Sequence, residues 1–173
     1  GYVPQDSYLL DDTLARNIAF SVGAEVPDND RVCRAISMAQ LDGLVLNLPD
    51  GLDTMLGERG ARLSGGQRQR IAIARALYAN PDVLVFDEAT AALDNESENE
   101  VTQAIRALSG IKTLFIIAHR LSTVRGCDRI VFMNNGRIRD TGKFDDLYTR
   151  CDEFRHLVDL GDLHVTAIHQ SQS

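Results

Sequence analysis

Two stretches decide how this chain reads: Leu63-Ser64-Gly65-Gly66-Gln67-Arg68-Gln69-Arg70 and, after a helical run, Val83-Leu84-Val85-Phe86-Asp87-Glu88. A Ser-Gly-Gly step at a helix start leaves backbone N–H groups without intrahelical acceptors. They sit at the positive end of the helix dipole, with no Cβ to hinder an approaching anion. That chemistry suits a terminal phosphate. The apolar run, bounded by Pro81-Asp82 and by two acids, predicts a strand buried on both faces with carboxylates at its carboxyl end. In open α/β sheets that edge is where ligands bind.

Working outward, Ile71, Ala74 and Leu77 recur at helical spacing, and the helix stops at Asn80-Pro81 because proline disfavours helix in the residue before it. Arg68, Arg70 and Arg75 ride on this helix as a solvated or ion-paired face. Beyond the acids, Ala89-Thr90-Ala91-Ala92-Leu93-Asp94 leads into a helix whose start is read at Asn95, three residues before Glu98 in a capping-box spacing. Thr113–Ala118 is a second apolar strand, followed by His119. Strand, helix, strand in this order predicts a parallel crossover that brings His119 to the edge carrying Asp87 and Glu88. Residues 129–133 and 137–140 flank Asn134-Asn135-Gly136 and predict a hairpin at an antiparallel edge. Leu147, Phe154, Leu157, Val158 and Leu160 predict one or two terminal helices, and residues 162–173 a frayed polar tail.

Toward the N-terminus, Thr13 is a candidate cap for a helix carrying Leu14 and Ile18. Asp28-Asn29-Asp30 opens a second helix with Val32, Ala35, Ile36 and Ala39 on one stripe. A helical or mixed run over 41–48 is closed by Pro49-Asp50-Gly51.

With 173 residues and 44% hydrophobic content, the chain can build one core and is short for two. A net charge of -7 argues against a general nucleic-acid surface. Cys33, Cys127 and Cys151 are odd in number at unrelated spacings, which suits packing roles in a reducing compartment. No apolar run reaches bilayer length, so direct membrane insertion is not expected. His164 and His169 lack partner ligands at a zinc spacing.

LSGGQRQR, VLVFDE, EATAALD (88–94) and IIAHR (116–120) together resemble the signature motif, Walker B, D-loop and switch histidine of ATP-binding cassette (ABC) ATPases. The resemblance covers the chain except its tail. It implies an α/β, P-loop NTPase-like parallel sheet flanked by helices, with a helical subdomain and a C-terminal β-hairpin, in an incomplete domain. Residues 1–161 are then a partial nucleotide-binding domain, with the helical subdomain at about 11–80 and the catalytic part at about 81–161.

The implied cofactors are ATP and Mg²⁺. Asp87 takes the metal role, mostly through water, and Glu88 that of general base or water-orienting residue. Two adjacent acids on a strand would point to opposite sides and divide these jobs. His119 would donate to the γ-phosphate. Gln5, after Pro4, takes the Q-loop position and serves a metal-bound water. In the family, Ser64, Gly65, Gly66 and Gln67 meet nucleotide held mainly by another protomer, and Asp94 lies at that interface. The implied partners are therefore a second nucleotide-binding domain, head to tail, and the transmembrane domain of an exporter or lipid flippase. The expected location is the cytoplasmic face of the plasma membrane. Gly57-Glu58-Arg59-Gly60 resembles the segment that exporter-type relatives place against membrane-domain loops.

One departure matters. Nothing in the chain matches G-x-x-x-x-G-K-[ST], since Lys143 lacks both the upstream glycine and the following hydroxyl residue. The chain therefore reads as the C-terminal portion of such a domain, from the Q-loop onward, without its P-loop. Ala91, where many relatives have serine, leaves this unchanged. The alternatives are a soluble ABC ATPase of DNA repair or translation, an importer ATPase, and a non-hydrolytic interaction module. The long insertions of the first are missing, the Gly57–Gly60 sequence is not expected in that form in the second, and the retained acids speak against the third.

Overall fold

The computed structural model describes residues 1–20, 26–118, 121–160 and 165–169. Its contacts fall into two compact units: Gly1 with Asp6–Pro81 and Ala92–Leu108, and Tyr2–Gln5 with Asp82–Ala91 and Ser109–Ser173.

The first unit is helical: α1 Leu14–Ala19, α2 Asn29–Met38, α3 Asp42–Leu46, α4 Gly65–Tyr78 and α5 Asn95–Ala107. Thr13 and Asp28 cap α1 and α2, each accepting a bond from the backbone N–H three residues on. Helix α4 packs against α1, α2 and α5 and forms the centre of the unit. Ile71 and Ile73 are fully buried there with Leu14, Ile18, Val32 and Leu41. Asn80 closes α4 in the left-handed conformation at φ 51°, which ends the helix before Pro81.

The arginines of α4 are structural ties. The Arg75 guanidinium donates to the backbone oxygens of Asn17 and Tyr8, at 2.8 and 2.9 Å, and lies over the Phe20 ring. Arg70 pairs with Glu100 of α5 at 2.7 Å.

The second unit holds one sheet: β1 Tyr2–Val3, β2 Val83–Asp87, β3 Thr113–Ala118, β4 Arg129–Asn134, β5 Arg137–Gly142 and β6 Val165–His169, in the order β1-β2-β3-β6-β4-β5. β1, β2 and β3 run parallel, with Val3 opposite Phe86 and Asp87 opposite Ile117. β4 and β5 form the expected hairpin, turned by Asn135 and Gly136 at φ 51° and 71°. Helices α6 Leu121–Val124, α7 Phe144–Arg150 and α8 Asp152–Leu160 follow their strands. Phe154 is fully buried edge-on to both Phe132 and Phe144.

Several expectations need correction. β2 is not buried on both faces: Leu84 and Phe86 are, while Val85 and Asp87 alternate onto a half-open face. The segment expected to fray contains β6, which pairs antiparallel with β3 on one side and β4 on the other. Its Val165-Thr166-Ala167-Ile168 core suits a strand, and ladder bonds on both edges satisfy a backbone that the polar flanks disguised. Asp94, not Asn95, caps α5. Cys33 is exposed on α2 and so fills no core space.

Candidate nucleotide site

Ser64 sits just outside α4 with extended backbone, and its hydroxyl accepts from Gln67 N–H at 3.1 Å. Gln67 Oε1 reciprocally accepts from Ser64 N–H at 2.9 Å, completing a capping box. The first-turn N–H groups of Gly65 and Gly66 precede the first intrahelical acceptor, and groups of that kind can donate to an anion. The Ser-x-x-Gln spacing that predicts the box is plain in the sequence, and it adds a structural job to Ser64 and Gln67.

The glycines are also required by packing. A Cβ on Gly65 would stand 2.9 Å from Leu93 Cδ2, and one on Gly66 would stand 2.9 Å from Ser97 Cβ and 3.1 Å from Ser97 Cα. Ser97 is in turn fixed by Asp94, whose Oδ1 accepts from Ser97 N–H at 2.9 Å and Oδ2 from the Ser97 hydroxyl at 3.0 Å. These bonds hold the Asp94 carboxyl below its ordinary range. The structure thus joins Ser64, Gly65, Gly66, Gln67 and Asp94 through the α4–α5 contact.

In the other unit, Asp87 ends β2, and Glu88 follows with φ 50°. A left-handed glutamate is uncommon and carries a conformational cost, of the kind that concentrates at functional sites. Glu88 therefore stands past the end of β2, and strand alternation does not apply to the pair as expected. The kink at Glu88 is pinned, because Glu88 N–H donates to Ile117 O and Glu88 O accepts from Ala91 N–H, both at 3.0 Å. Gln5 is exposed and leaves β1 two residues past Val3, the partner of Phe86. It thus emerges at the same sheet edge as the acids.

One participant is invisible to motif reading. Tyr2 Oη donates to Asp87 Oδ2 at 2.7 Å. The bond and the neighbouring carboxylate raise the phenol above its ordinary value, so it stays a protonated donor. His119 lies outside the described residues; β3 ends one residue before it, with Ile117 opposite Asp87.

Among the described residues no group of three or more His, Cys, Asp or Glu could cage a metal ion. One strand-end carboxylate with an amide emerging at the same sheet edge is a hard-oxygen set. It suits Mg²⁺, which keeps most of its waters and substrate phosphates as ligands.

Comparison with known proteins agrees with the motifs that each of these elements carries: residues 1–91 match the ABC transporter family model. The chain belongs to that family. It is 44% identical to the uncharacterized ABC transporter ATP-binding protein YwjA of Bacillus subtilis, over 99% of this chain and 28% of that protein. It is 49% identical to an ATP-dependent lipid A-core flippase of Ralstonia nicotianae, over 86% of this chain and 25% of the other. A solved bacterial Atm1-family ABC exporter with ATP bound superposes with a TM-score of 0.78 at 41% identity, covering 92% of this chain and 28% of that one. The chain spans about a quarter of the length of these relatives. The expected fold class and family are thereby established. Among the described residues no helix is long and apolar enough to cross a membrane.

Proposed function

We propose that this chain supplies part of the ATP-hydrolysing site of an ABC exporter, with a lipid-like substrate as the finer expectation from the flippases it resembles. The carrying observation is the pinned Asp87-Glu88 kink at the carboxyl edge of parallel β2. Asp87 would hold Mg²⁺, which spreads the charge of the phosphate oxygens. Glu88 would orient or deprotonate the attacking water, and Gln5 would bind metal-bound water. Ser64, Gly65, Gly66 and Gln67 would meet the γ-phosphate of a nucleotide held by a second nucleotide-binding domain, with Asp94 beside that interface. His119 would complete the phosphate contacts. A transmembrane domain is the other partner, which puts the chain at the cytoplasmic face of the plasma membrane.

The division of the domain into a helical part at about 11–80 and a catalytic part at about 81–161 belongs to the same proposal. The test is Mg²⁺-dependent ATP turnover by the complete subunit in vesicles, beside the isolated 173-residue chain. The complete subunit should turn over and the isolated chain should not. Turnover by the isolated chain that Glu88→Gln abolishes would overturn the composite site.

A further inference from the structure

We propose that Tyr2 is a positioning residue for Asp87: its hydroxyl holds one carboxylate oxygen so that the other is presented to a divalent cation. This rests on the ATPase reading above, in which Asp87 is the metal residue. The parallel register creates the contact. Tyr2 pairs with Val85, so Asp87, two residues on, lies on the same face of the sheet and one step diagonal to Tyr2. A side chain as long as tyrosine crosses that diagonal, and the 2.7 Å separation is that of a charge-assisted bond.

Tyr2 is 57% exposed, so burial does little to fix it or to require an aromatic residue there. The hydroxyl is what this position contributes. Among the described residues Asp87 Oδ1 has no protein donor, so holding Oδ2 leaves a single carboxylate oxygen for a cation. A carboxylate restrained in this way binds a cation through one oxygen in a set direction. That is the usual service of a partner to a metal ligand, and losing such a partner typically weakens metal affinity about 10–100-fold.

The experiment uses the complete subunit with a non-hydrolysable ATP analogue and Mn²⁺ as probe, its affinity read by electron paramagnetic resonance without turnover. Tyr2→Phe keeps the ring and should weaken Mn²⁺ binding about 10-fold while leaving the thermal midpoint unchanged. Asp87→Asn should weaken it further. Wild-type affinity in Tyr2→Phe, with binding lost in Asp87→Asn, would overturn the positioning role and leave the ATPase reading standing. Wild-type affinity in Asp87→Asn would instead remove Asp87 as the metal residue, and both proposals with it.

Discussion

At the scale of single residues, the functional candidates also have structural duties. Asp94 was expected at a protomer interface; here it caps α5 with both oxygens bonded to Ser97. Because its folded pKa lies below the ordinary 3.8, its stabilising contribution is complete above that value. The contribution is lost as pH falls through the folded value. Asn caps nearly as well but does not titrate. The urea midpoint of wild type should therefore fall more between pH 6 and pH 3 than that of Asp94→Asn, as followed by circular dichroism. The motifs made Asp87 and Glu88 legible as acids at a strand end. They could not show the left-handed backbone of Glu88, because nothing about a glutamate announces positive φ. Tyr2 was illegible for another reason: its contact depends on which strand β1 joins and in what register, and no local pattern encodes that.

At the scale of elements, α4 meets the start of α5 closely at Gly66. Gly66→Ala would drive a methyl into the Ser97 Cβ and backbone Cα, which cannot swing aside. It should cost about 1–3 kcal/mol in urea unfolding, the usual range for overpacking. Ser97→Ala should not rescue it, since Cβ and Cα remain. In the hairpin, Gly136 at φ 71° has open space around it, so Gly136→Ala should cost only the backbone term, about 1–2 kcal/mol. Helices α1, α2 and α4, strands β2 and β3, and the hairpin were legible because apolar period, caps and turn residues agreed. Strand β6 was not, because five residues of modest apolarity become a strand only when two neighbours offer edges.

For the whole molecule, the central claim is that the kinked end of β2 carries the water-activating carboxylate of an ATPase whose remaining parts lie on other segments. The isolated chain should accordingly show negligible turnover, measured as phosphate release. The most direct measurement is steady-state ATP hydrolysis by the complete subunit carrying Glu88→Gln, with nucleotide binding followed in the same sample. Loss of a general base predicts a fall in kcat of at least about 100-fold with ATP still bound. Turnover at the wild-type rate in Glu88→Gln would contradict it.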